Sequence, residues 1–460
     1  MHRLLFAFSL VSPSLLAQIV IPVAQLGSAC AVSQLNPSFF PIVNTTSLPD
    51  FHQSGAILFV GFNSPSNFPV GSPPPTTVPT PPQSGWVFVI ENSGIRGPWI
   101  ADAYFIGANW TNYRNIIKQA GLADILVAYH GGTDIYDLNP YAAVREIKAT
   151  DLPAVGGGLV TLFNSEVTSK PDQFPRIGVE CRERGIDWLC KSNYSHPSDS
   201  TTKTLIGRGY EVVVWAVLDG GNYDNIVEYI FRDDGSVGFR LGTSGSIQRG
   251  LGFPPGEAHM HNGLWRLSTN LFGSNQNRAY VSQHLESSIG AVDTELPITE
   301  EGVVDFKPLN FTTILIQNTA LTNARGHLMG YEVVPFGRLG TARHDEPWTG
   351  HDFWITKDNP GEDGTGAFPD NWRFISSPEQ TPDQTMLRYA ANKEAMFNYD
   401  MTPVTPVIWY RSSVHHHPSD SDLASDGTVG IASVHWAGFD FLPHNAFDYN
   451  PMTGGLGFCE

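Results

Sequence analysis

Three groups of residues in this 460-residue chain are suited to chemistry. His259-Met260-His261 places two imidazoles two positions apart. On a strand, alternate residues face the same side, so both rings can reach one metal ion. Neutral imidazole suits copper, zinc and nickel, and a pair on one strand needs a third ligand from elsewhere. His415, His416 and His417 offer that third ligand, and alternation in the sequence does not choose among them. The third group is Gly221-Asn222-Tyr223-Asp224-Asn225, upstream of both histidine sites. A tyrosine is an odd residue to build chemistry on, and becomes sensible if the protein rebuilds the ring into a redox cofactor. Gly220 and Gly221 remove side-chain bulk just before it, which matters if the ring must swing between two positions.

Such residues need rigid elements to hold them. The chain is 41% hydrophobic and 12% aromatic, ample for a large core. Its 45 Gly and 34 Pro punctuate short Val, Ile, Thr, Tyr and Phe runs, which favours strands joined by turns. Runs at Tyr210 to Val217, Ile226 to Phe231, Val237 to Leu241, Phe311 to Ile316, Gly330 to Pro335 and Val407 to Tyr410 read as strands. Tyr223 then falls between a strand with Val212, Val214 and Ala216 on one face and a second strand starting near Ile226. Residues 110–130 hold the only helical character. The expected fold is mainly β, a large antiparallel sandwich.

A formal charge of −18 argues against a nucleic-acid or anionic-membrane partner and leaves a cationic small substrate open. Residues 1–17 have the basic start, short apolar run and small-residue end of a signal peptide, with a later cut near Ala29 as an alternative. No later run is long enough to span a membrane, so a secreted, soluble protein is expected. Sequons at Asn44, Asn109, Asn193 and Asn310 would accept glycans on a eukaryotic secretory route. An N-terminal segment, 18–63, is followed by a Pro-rich linker or loop, 64–85, and one large domain, 86–460. Of the four cysteines, Cys181 and Cys190 could close a local disulfide, while Cys30 and Cys459 could join the termini unless Cys30 leaves with the signal peptide. Their spacings disfavour zinc.

Asn222-Tyr223-Asp224-Asn225, then His-x-His, then a histidine after Trp409-Tyr410, resembles the copper amine oxidases, in which the tyrosine becomes topaquinone beside copper. Gly330 to Pro335, DFWITKDNPGE at 352–362, Ala367-Phe368-Pro369 and HNAFDYNP at 444–451 are similar to family segments in the same order. The resemblance covers roughly residues 86–455. It implies copper on His259, His261 and His416, the last chosen by the family's spacing after Trp-Tyr, and topaquinone formed at Tyr223. It also implies a catalytic base at Asp137 in Tyr136-Asp137-Leu138, a tyrosine at Tyr129 that hydrogen-bonds the quinone, Asn222 beside the cofactor, and a homodimer. On residues alone, Asp134 competes with Asp137. The implied reaction converts a primary amine, O2 and water to an aldehyde, ammonia and hydrogen peroxide, with the carboxylate removing the α-proton.

Three departures from the family stand out. Leu152 and Gly178 lie where a family disulfide is usual, and Cys181 and Cys190 are candidates to replace it. Ser268, Asn270 and Thr405 stand where carboxylates of the family's peripheral calcium site would be, so no calcium is expected there. The family's small α/β domains are expected to be missing or reduced before Trp86. These departures keep two other readings in view, a copper-binding relative without oxidase activity and a specialised oxidase of one amine-bearing metabolite.

Overall fold

The structure, a computed structural model, describes residues 20–26, 30–35, 56–62, 66–67, 84–93, 97–107, 113–130, 134–137, 144–161, 175–191, 204–247, 256–274, 276–287, 290–337, 347–358, 386 and 393–453. Two eleven-stranded sheets face each other. In the first, Arg114–Tyr129, His259–Thr269 and Pro406–His416 are consecutive neighbours. Near the middle of the second, Ile431–His444, Val237–Ser246, Tyr223–Arg232 and Thr204–Asp219 lie side by side. All these pairings are antiparallel. The mainly β sandwich expected from composition is the fold observed.

Alternation places one face of each strand between the sheets. Val227, Tyr229 and Phe231 from one sheet and Trp265, Leu267, Ile408 and Tyr410 from the other belong to one apolar core. Phe231 stacks on Phe88 at 4.0 Å, and Tyr229 meets Trp265 edge-on at 6.2 Å. The polar tips of buried aromatics are satisfied across the gap: Trp86 Nε1 donates to the Arg232 carbonyl and the Tyr229 hydroxyl to that of Pro98. A second apolar cluster, with Trp99, Leu126, Leu264, Trp348 and Trp409, involves the other face of the first sheet. The His259–Thr269 strand is therefore buried at every position.

That double burial explains one correction. The supposed helical stretch within 110–130 is the strand Arg114–Tyr129, buried along almost its whole length. A strand covered on both faces loses the apolar–polar alternation that marks strands in a sequence. A second correction concerns Tyr223, which opens the strand Tyr223–Arg232 rather than preceding one that begins near Ile226. Part of the 18–63 segment also belongs to the sandwich, since Cys30–Leu35 and Ala56–Phe62 continue the first sheet. Of the Pro-rich segment, Ser66–Asn67 pairs with the Thr204–Asp219 strand, and the rest lies outside the described residues. The expected signal peptide at 1–17 lies outside them too.

The cysteine pairing differs from both expectations. Cys30 bonds Cys181, joining the N-terminal part of the first sheet to the strand Pro175–Lys191 of the second. Cys459 lies outside the described residues. Closing a loop of 151 residues restricts the unfolded chain strongly. We expect the Cys30→Ser/Cys181→Ser pair to lower unfolding free energy by about 2–5 kcal/mol in denaturant titrations. Cys190→Ser should leave the midpoint unchanged, and a matching loss there would instead support the local pairing.

Candidate active site

Register gathers the site at one end of the sandwich. In the first sheet, His259 is directly opposite Tyr129 on one neighbouring strand and His416 on the other. His261, two residues on, shares the face of His259. The Pro406–His416 strand runs straight through to His416, so its inward face reads Ile408, Tyr410, then Ser412, Val414 and His416. His415 and His417 are exposed. Alternation therefore does select among the three histidines once the strand is known to extend that far.

From the opposite sheet Tyr223 enters this cluster, its ring 5.0 Å from His259 and 4.8 Å from His261, centroid to centroid. Its hydroxyl lies 2.8 Å from His416 Nδ1. Asp422 lies 3.2 Å from the other nitrogen, Nε2. The carboxylate only accepts, so Nε2 carries the proton and Nδ1 presents a lone pair to the Tyr223 O–H. His259 Nδ1–H donates to the Glu257 carbonyl at 2.9 Å, which leaves the lone pair on Nε2. His259 Nε2 and both nitrogens of His261 are buried without a hydrogen-bond partner.

Burial also fixes the charge state. Exclusion from water lowers the pKa of His259 to about 4, puts His261 well below its ordinary value, and lowers that of His416. All three rings are neutral at pH 7. Burial, with Tyr129 and Asp422 nearby, raises the Tyr223 phenol. Each unsatisfied buried nitrogen costs about 1–3 kcal/mol. A divalent cation accepting these lone pairs would offset that cost. Among the described residues no three His, Cys, Asp or Glu groups already form a metal-binding set. The fit to a metal rests on donor chemistry: neutral imidazoles, orphaned lone pairs, and a phenol oxygen on the third ring.

The base candidate is held by the strand that Tyr223 opens. Asp137 is only 4% exposed and accepts a 2.8 Å hydrogen bond from Asn225 Nδ2. Asn225 lies two residues after Tyr223 on the same strand and faces the same way. Burial raises the Asp137 pKa to about 7, with Asn225 opposing and Asp219 adding to the shift. Gly220 makes room for this carboxylate, since a Cβ there would lie 2.6 Å from Asp137 Oδ2. The absent bulk at Gly220 thus admits the acid. The strand Asp134–Tyr136 pairs with Leu126, Val127 and Ala128, and the Asp134 side chain lies outside what is described. Tyr129 stands 5.0 Å from the His259 ring, and Asn222 Nδ2 donates to its hydroxyl at 3.4 Å.

Sequence reading missed two supports, Asn225 for Asp137 and Asp422 for His416. Asn225 stood inside the Tyr223 motif, and its two-residue offset was the available signal. Asp422 sits in a short turn stabilised by Ser419, with no periodicity to mark it. Ser268, at the position of the family's peripheral calcium site, donates to Asp358, whose carboxylate also meets Lys118 at 2.9 Å and Arg266 at 3.4 Å. The Asp358 amide donates to the Thr405 carbonyl.

A two-sheet antiparallel sandwich with three buried imidazoles around a strand-end tyrosine defines the class of protein. The enzyme domain of the copper amine oxidases matches residues 191–454. The chain belongs to the copper amine oxidase family. It is 20% identical to the peroxisomal copper-containing amine oxidase alpha 3 of Arabidopsis thaliana, over 94% of this chain and 65% of that one. It is 22% identical to a primary amine oxidase of Klebsiella aerogenes, over 63% and 41%. The chain thus spans less than two thirds of the length of these relatives. A copper-containing benzylamine oxidase from Hansenula polymorpha shares the fold with a TM-score of 0.63 at 15% identity, covering 94% of this chain and 78% of that one. Pichia pastoris lysyl oxidase gives 0.61 at 14%, over 94% and 69%.

Asp137 generates a pH-dependent stability difference. Its folded pKa of about 7 exceeds the unfolded value of about 3.9, so the folded state binds the extra proton between these values. Its contribution is present below about pH 4 and is lost as pH rises through about 7, at no more than about 1.4 kcal/mol per unit. Relative to Asp137→Asn, the wild type should lose stability across that window in denaturant titrations. Parallel pH profiles would contradict the buried, protonated acid.

Proposed function

We propose that this chain is a secreted, copper- and topaquinone-dependent oxidase of primary amines, yielding an aldehyde, ammonia and hydrogen peroxide. The observation that carries this reading is the Tyr223 hydroxyl on the His416 Nδ1 lone pair, beside the orphaned nitrogens of His259 and His261. The three imidazoles would hold copper, and a quinone formed at position 223 would supply the electrophilic carbonyl and the two-electron capacity that protein side chains lack. The chain's own residues divide the remaining work. Asp137 in its carboxylate form removes the α-proton of the bound amine, and Asn225 fixes the direction of its oxygens. Its raised pKa keeps it basic enough to take that proton near neutral pH. Tyr129 and Asn222, joined by a hydrogen bond beside His259, orient the ring at 223.

Secretion is supported by the Cys30–Cys181 bond, which forms most readily in an oxidising compartment. Among the described residues no helix is long and apolar enough to cross a membrane. Asn310 lies in a short surface turn compatible with a glycan, and the other three sequons fall outside the described residues. Two such chains would pair as a homodimer, and small primary amines with O2 are the partners we assign. No nucleic-acid or membrane partner and no calcium at Ser268, Asn270 and Thr405 are part of this reading.

The test is peroxide release from a panel of primary amines by copper-loaded protein. Wild type should be active, with kcat/KM rising with pH through about 7 as Asp137 loses its proton. Tyr223→Phe should be silent, and Asp137→Asn should fall by about 10²-fold or more while retaining copper. Copper-loaded wild type that yields no peroxide with any amine would sink the oxidase reading.

A further inference from the structure

His435 lies in the strand Ile431–His444, opposite Thr243, which is itself opposite Asn225 on the Tyr223 strand. The three residues form a row across the second sheet. Asn225 and Thr243 are fully buried, and Phe439 and Phe441 share the parity of His435 and join the central core. The His435 side chain therefore points into the gap between the sheets. Its ring centroid is 5.0 Å from that of His416, inclined by 38°.

Exposure separates His435 from the other imidazoles. His259, His261 and His416 are 2%, 0% and 3% exposed, whereas His435 is partly exposed, with Val434 and Trp436 beside it at the surface. A hydrated divalent ion must shed water to reach the buried set, and losing it all at once carries a large desolvation penalty. An imidazole partly in solvent can replace one bound water while the rest remain. His416 comes next, with its Nδ1 lone pair covered only by the Tyr223 hydroxyl.

We propose that His435 is a metal-loading residue, which captures copper(II) from solvent and passes it to His416 without remaining a ligand in the loaded site. One water leaves the ion as the His435 nitrogen binds. His416 Nδ1 then displaces that nitrogen as the Tyr223 hydroxyl gives up its hydrogen bond, and copper stays in the +2 state throughout. This role rests on the copper assignment above but is independent of amine turnover.

Metal-free full-length chain would be mixed with limiting copper(II) in competition with a coloured chelator, and both uptake rate and final copper per chain measured. His435→Ala should take up copper about tenfold more slowly than wild type and reach the same final stoichiometry. His435→Gln keeps polarity and bulk at this partly exposed position, so slow loading there too separates the effect from a folding defect. Added imidazole should restore the rate in His435→Ala. Unchanged uptake rates in both variants would overturn the proposal, as would a lower final stoichiometry, which would make His435 a permanent ligand. Wild type that takes up no copper overturns the loading role and the copper reading together. Wild type that loads copper but releases no peroxide with amines removes only the oxidase reading.

Discussion

Keeping three imidazoles uncharged in a place water does not reach is the constraint on which this structure depends. Burial lowers the basicity of His259, His261 and His416, so their lone pairs stay available at neutral pH. The same burial leaves nitrogens of His259 and His261 without partners. A fold that tolerates this must hold the rings firmly, and the first sheet does so by register: Tyr129, His259 and His416 form one row across three adjacent strands. The second sheet closes the arrangement through the Tyr223 hydroxyl and His416 Nδ1. Packing of Phe88, Phe231, Tyr229 and Trp265 between the sheets fixes the distance over which that hydrogen bond forms.

The strand Tyr223–Arg232 works as a ruler for the proposed reaction. Residue 223 faces the imidazoles, and residue 225, one pleat along, holds the carboxylate of Asp137. The ring and its proposed base are thus referenced to one rigid backbone rather than to separate loops. Gly220 belongs to the same device, because any side chain there would collide with the acid. The cationic tips of Lys118 and Arg266 around Asp358 show the opposite strategy at the far end of the His259 strand, where buried charge is paired internally.

Much of this was legible in the sequence where one physical pattern dominated. Tyr210 to Val217 and Val237 to Leu241 lie within the observed strands because β-branched runs bounded by turn residues have few other solutions. The His259 and His261 pair was legible because a two-residue spacing means one face of a strand. Residues 114–129 were not, since burial on both faces erases the period of two. The Cys30–Cys181 bond was not, because disulfide partners are set by the approach of two sheets and not by sequence distance. Asp422 and His435 reach His416 from a turn and from the opposite sheet, and neither relation leaves a mark in local sequence.

We propose that this site converts its own tyrosine. Mass spectrometry of the peptide containing Tyr223, before and after metal-free protein is given copper and O2, tests it most directly. This peptide alone should gain two oxygen atoms and lose two hydrogens, and His261→Ala should abolish the change. An unmodified Tyr223 in protein that has taken up copper and been exposed to O2 would contradict it.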